Sequence, residues 1–194
     1  MDTEKIVNFF FEVASLRRLL RSHQQLIAQT SDNILDHSFR VAIVAFVLGK
    51  LEGVNHTRAM KIGLFHDLAE ARTGDANAIN KQYLDIKESE AHEDQARGLP
   101  IAQEFLSILH EYEARETPES AVAKDADLLD QMVLQQEYFY RDPKRENHRI
   151  WQNYAEAGLT TESAKALGRT IREANPFEWL YQDLEKKSGA RIDR

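Results

Sequence analysis

Apolar residues recur at intervals of three and four along most of the chain: Ile6, Phe9, Val13 and Leu16, then Ile34, Val41, Val44 and Leu48, then Ile62, Phe65 and Leu68. That spacing puts each set on one face of an α-helix, and no run alternates at the two-residue period of a half-buried strand. No two-residue hairpin turn appears either. The pattern predicts an all-α fold, an irregular bundle of roughly seven to nine helices. Start signals fit it: Ser31-Asp32 precede the second segment, Asn55 the third, Pro100 follows Gly98-Leu99, and Thr117-Pro118 reads as a cap with proline at the first helical position. Stops are expected at Gly53, Gly74, Asp142-Pro143 and Asn175-Pro176.

With 194 residues, 42% of them hydrophobic, the whole of 1–194 is expected to form one domain around a sizeable core. A net charge of −7, from 32 acidic and 25 basic residues, argues against broad contact with nucleic acid or anionic membranes. The first residues, MDTEKIVNFFFEVASLRRLL, are broken by charges too often for a signal peptide or a membrane span, so a cytoplasmic protein is expected. Cysteine is absent, which leaves imidazole and carboxylate as the ligands for any transition metal.

One stretch resists the simple amphipathic pattern: GLFHDLAEARTGD, Gly63 to Asp75. On a helical wheel His66, Asp67 and Glu70 share a sector of roughly 100°. The small residues Gly63 and Ala59 lie behind that sector and are expected to leave room for something against the helix. Neutral imidazole beside carboxylate suits one divalent ion such as Mn, Co, Fe, Ni or Zn, if other helices complete the set. Two apolar helices offer polar residues that are expensive to bury unpaired: His37 in DNILDHSFRVAIVAF, and Asp127 in AVAKDADLLDQMVL, with Lys124 and Asp130 a turn to either side. Taken singly, His37 is an ordinary core histidine and Asp127 with Lys124 an ordinary intrahelical pair. Their joint occurrence in the order H…HD…D, on separate helices, points to a metal site.

With DHSFRVA, HDLAEARTGD and EYEARETPESAVAKDADLLDQ, the chain resembles the HD-domain metal-dependent phosphohydrolases, in the branch that includes 5'-deoxynucleotidases. The resemblance runs from the first helix to about Tyr154. It implies His37, His66, Asp67 and Asp127 as metal ligands, supporting or catalytic roles for Glu70 and Asp75, a nucleotide substrate and a homodimer. Glu70, one turn beyond His66-Asp67, is placed to orient or deprotonate the attacking water, and Asp75, in the loop released by Gly74, to hydrogen-bond the sugar or protonate the leaving 5'-oxygen, with the division between the two left open. Lys124 and Lys81 are candidates to meet the phosphate, each also an ordinary surface or ion-pair residue. Arg21 loosely matches an Arg-aromatic element of similar nucleotidases, but Ser22-His23 stand where the aromatic is expected, which leaves the nucleoside preference open. Dinuclear relatives carry two extra histidines in the interval that holds His92 and His110. Here His92 lies in the charged ESEAHEDQA, expected to be a solvated face, and a second metal is not expected. Trp151, Trp179 and Phe9 to Phe11 read as core or subunit contacts. The alternatives within the family are a nucleoside triphosphate, cyclic nucleotide or guanosine polyphosphate as substrate. Beyond them stands a nucleotide-binding protein without catalysis.

Overall fold

The computed structural model describes residues 2–27, 32–142 and 146–189, and these form eleven α-helical segments. In chain order they are α1 (Thr3–Ser15), α2 (Gln24–Ile27), α3 (Ile34–Leu51), α4 (His56–Phe65), α5 (Glu70–Thr73), α6 (Glu88–Ala96), α7 (Ala102–Ala114), α8 (Pro118–Arg141), α9 (Asn147–Ala157), α10 (Glu162–Glu173) and α11 (Glu178–Ser188). Because α2 and α5 are single turns, nine longer helices remain among the described residues. No strand occurs among them, and an isolated bridge pairs Leu20 with Asn33.

Side-chain chemistry sets the helix starts. Asn55 caps α4 by accepting from the Arg58 amide, and Thr117 with Ser120 forms a reciprocal capping box ahead of Pro118. The second start is corrected by one residue: Asn33, not Asp32, accepts from the Asp36 amide. Asp32 is buried and turned toward Arg40, whose Nη2 donates to its Oδ1 at 3.0 Å. Ser31 and Pro143, also expected to mark helix ends, lie outside the described residues. Gly53 and Gly74 follow α3 and α5 with φ of 71° and 77°, a region a Cβ disfavours.

The long helix α3 packs against α4 and α8, where Val41, Ala45 and Leu48 meet Ala59, Leu129 and Met132. A second cluster, with Phe9, Leu16, Ile34, Leu68, Phe105 and Leu109, ties α1 and α7 to the start of α3. Burying each such large side chain stabilises the fold by about 1.5–3 kcal/mol. Gly63 and Ala59 do not open a ligand space as expected. Both are buried against α3, and a Cβ at Gly63 would lie 3.1 Å from Val41 Cγ1 and 3.3 Å from the Val41 carbonyl oxygen. Their smallness instead lets α3 and α4 approach closely, which carries His37 toward His66. Among the described residues no helix is long and apolar enough to cross a membrane.

Candidate metal centre

The apolar run through His66 is not one continuous helix. Helix α4 ends at Phe65, and the next residues tighten into i→i−3 bonds, from the Leu68, Glu70 and Arg72 amides to the carbonyls of Phe65, Asp67 and Ala69 at 3.0, 3.1 and 2.8 Å. A tighter turn advances each residue by about 120° rather than 100°. The wheel therefore misplaces these side chains, and tertiary contacts decide where they meet.

Among the described residues, the one group of metal-ligating side chains that converges is His37, His66 and Asp127, with ligand atoms all within 4.8 Å of one another. His37 comes from the first turn of α3, His66 from the residue just past α4 and Asp127 from the middle of α8. Asp67 joins them: its Oδ2 is 3.2 Å from His66 Nε2 and 3.4 Å from His37 Nε2, while Asp127 Oδ1 is 3.4 Å from His37 Nε2. Both imidazoles are oriented by their other nitrogen. His66 Nδ1 lies 2.8 Å from the Gly63 carbonyl oxygen, which can only accept, so Nδ1 carries the hydrogen and a neutral ring turns its Nε2 lone pair inward. His37 Nδ1 lies 2.8 Å from Asp130 Oδ2, and Arg40 holds that carboxylate through Nε at 2.7 Å and Nη2 at 3.0 Å. Both Nε2 atoms are buried without a hydrogen-bond partner among the described residues. Two such lone pairs facing two carboxylates fit a divalent cation, and the anchoring of each ring by an outer acceptor is typical of metal-binding histidine.

The electrostatics agree. Burial opposes ionisation of Asp67 and Asp127, yet both are held well below the carboxylate range, Asp67 by His66, His37 and Arg21, and Asp127 by Lys124 and the same histidines. Burial and Arg21 push His37 down, but Asp127, Asp130 and Asp67 outweigh them and hold it well above the ordinary imidazole value, so without a cation the ring carries a proton on Nε2 that a metal ion would displace to reach the lone pair. Glu70 moves the other way, pushed up to about 10 by burial and then by Asp67 and Asp75. Its Oε2 is buried and unpartnered among the described residues.

The other expected residues gather around one cavity of about 660 Å³. Arg21 Nη1 donates to Asp67 Oδ2 at 3.0 Å, and its Nε lies 4.0 Å from Asp75 Oδ2. The backbone places it there: the Arg21 amide bonds the Asp32 carbonyl at 3.2 Å, pinning the segment after α1 to the start of α3. Asp75 Oδ2 accepts from the Ser22 amide at 2.7 Å and fastens the same segment from the other side. Lys124 Nζ donates to Asp127 Oδ2 at 2.7 Å, and Lys81 lines the cavity from the loop after Gly74. His23 lines it too, its ring buried and held neutral at neutral pH because burial, then Arg21, pushes it down to about 4.

Two expectations fail here. His92 is buried, not solvated, because α6 packs on α7 and sets its ring against Phe105, with Nδ1 3.5 Å from Glu113 Oε1. Exposed His110 and buried His92 both stay outside the converging group. Trp151 is not purely a core residue, since it lines the cavity with Tyr154. Asp130 and Arg40 were not legible as supports for His37. A buried carboxylate three residues after Asp127 was the available signal, but its partner is supplied by another helix.

Residues 13–168 match the family model described as "HD domain". Human 5'-deoxynucleotidase HDDC2 is 30% identical over 115 residues, 57% of this chain and 56% of that protein. The 5'-deoxynucleotidase hdd1 of Schizosaccharomyces pombe is 30% identical over 116 residues, 55% of this chain and 58% of that one. The chain thus spans a little over half the length of these curated relatives. A conserved hypothetical protein from Pyrococcus furiosus superposes with a TM-score of 0.69 at 27% identity, covering 86% of this chain and 97% of that one.

Proposed function

This chain belongs to the HD-domain family, and from that premise we propose that it is a metal-dependent phosphomonoesterase, a 5'-deoxynucleotidase that releases phosphate from deoxynucleoside 5'-monophosphates. One observation carries the reading: the unpartnered Nε2 atoms of His37 and His66 converge on Asp67 and Asp127, and His66, Asp67 and Asp127 line a cavity of nucleotide size. These four residues are the proposed ligands of one borderline divalent ion, Mn, Co, Fe, Ni or Zn. When bound, such an ion supplies acidified water and a polarised phosphoryl oxygen near neutral pH.

The chain's own groups divide the remaining work. Glu70 is the proton carrier. Burial and two carboxylates raise its proton affinity, added positive charge among the ligands opposes that rise, and a carboxyl so poised accepts a proton from attacking water. Arg21, whose Nε has no hydrogen-bond partner among the described residues, offers that donor to a phosphate oxygen. Lys124 brings a second cation to the phosphate from the Asp127 side, and Lys81 a third from the loop. Asp75 acts by position, since its bond to the Ser22 amide holds Arg21 over the site. A second copy of the chain is the proposed partner. The outer face of α3 exposes Phe39, Ile43, Phe46, Val47 and Leu51, a continuous apolar stripe that a two-fold interface would cover.

The test is a phosphate-release screen. Protein stripped of metal is given each of the five ions and offered nucleoside mono- and triphosphates, cyclic nucleotides and guanosine polyphosphates. Deoxynucleoside monophosphates should yield inorganic phosphate with at least one ion. Pyrophosphate release, ring opening or no turnover with any ion would contradict the proposal.

A further inference from the structure

We infer that Trp151 and Tyr154 of α9 form the platform on which the nucleobase of the substrate stacks, an inference that rests on the nucleotidase reading above. Besides the phosphate, a nucleotide brings a flat ring system that gains most from an open aromatic face. Among the described residues, five ring-bearing side chains line the cavity: His23, His66, Tyr112, Trp151 and Tyr154. His23 and His66 are 8% and 7% exposed and have no open face to offer. Tyr112 is already covered, with the Arg115 guanidinium 3.4 Å above its ring centre and His66 edge-on at 5.1 Å. Trp151 and Tyr154 remain. They stand one turn apart on the same helical face and meet at 5.9 Å and 76°, an edge contact, with Tyr154 62% exposed.

Their placement relative to the metal end follows from the next turn of α9. Ala157 and Gly158 continue the cavity wall with almost no side chain, and a Cβ at Gly158 would come within 2.9 Å of Leu128 Cδ1. Leu128 directly follows Asp127. The end of α9 is thus seated against the residue next to a proposed ligand, with the two aromatic rings one and two turns back along the same helix. A phosphate held by the proposed ligands puts the base toward α9, whose residues line the same cavity. Stacking is largely indifferent to base identity, so purine and pyrimidine nucleotides should both profit.

The chain has two tryptophans, and Trp179 is 70% exposed and outside the cavity lining, so Trp179→Phe leaves Trp151 as the sole indole reporter. In that background, with metal held constant, 2'-deoxyadenosine 5'-monophosphate and thymidine 5'-monophosphate should each quench the fluorescence. 2-Deoxyribose 5-phosphate, which has no base, should not. Trp151→Ala should lower kcat/KM for both nucleotides about tenfold, the scale of one lost base stack, and leave the base-free substrate unchanged. Trp151→Phe should recover most of the loss. Equal losses on nucleotide and base-free substrate would assign Trp151 to the scaffold and overturn the platform, as would phosphate release with neither quenching nor a base-dependent loss. Quenching without any phosphate release would keep the platform and remove the nucleotidase reading instead.

Discussion

His37 and Asp130 are 93 residues apart in sequence and 2.8 Å apart in space, through His37 Nδ1 and Asp130 Oδ2. Arg40, one turn beyond His37 on α3, grips the same carboxylate with two nitrogens. The arrangement locks the ring so that Nε2 faces Asp67 and Asp127. Asp130→Asn, which keeps the shape and removes the charge, should weaken divalent-metal affinity about 10–100-fold, the usual effect of disturbing the outer partner of a ligating histidine. Calorimetric titration of the stripped protein checks this, and unchanged affinity would show that Asp130 is a helix-pairing residue only.

Glu70→Gln should reduce kcat about 10²–10⁴-fold, the range for loss of a general base, while metal content per chain stays at the unsubstituted level. Phosphate release and elemental analysis on the same sample separate the two effects. A simultaneous loss of metal would make Glu70 a ligand and not a proton carrier.

Gly63→Val should destabilise the chain by about 1–3 kcal/mol, the typical result of overpacking a close helix contact. The added atoms would press on Val41 and part α3 from α4. Activity should fall with stability, since the same contact holds His37 near His66. Denaturant unfolding followed by phosphate release reads both.

Glu12 gives a pH-dependent contribution away from the ligands. Arg72 binds it with two nitrogens of one guanidinium edge, Nε to Oε1 and Nη2 to Oε2 at 2.9 Å, and Gln95 adds a bond at 2.9 Å, so its pKa is lowered from 4.5. A depressed carboxyl stabilises the fold above its unfolded value and loses that contribution as pH falls through the folded one. Melting temperature should therefore drop below about pH 4.5 more steeply in the unsubstituted chain than in Glu12→Gln, the stability involved being up to about 1 kcal/mol for a partly exposed pair. Parallel melting curves across that range, compared at equal ionic strength, decide it.

Ile43→Glu, on the open stripe of α3, should convert a dimer to a monomer in sedimentation without lowering the melting temperature of the monomer. A chain that is monomeric before the substitution removes the proposed partner.

Local chemistry was legible without coordinates. Three- and four-residue spacing announced helices, Asn55 and Thr117-Pro118 announced their starts, and polar residues in apolar helices marked positions that only pairing or a metal makes tolerable. These depend on neighbours a few residues away, which a linear string displays in full. Where the polar groups point was decided only in three dimensions. The turn at His66 is tighter than an α-helix, Gly63 is small for the sake of α3, and His92 sinks against Phe105. His37 finds Asp130, and Trp151 reaches the cavity, because helices distant in sequence pack side by side. Packing energy depends on shape complementarity between elements, and spacing along one element carries no record of it.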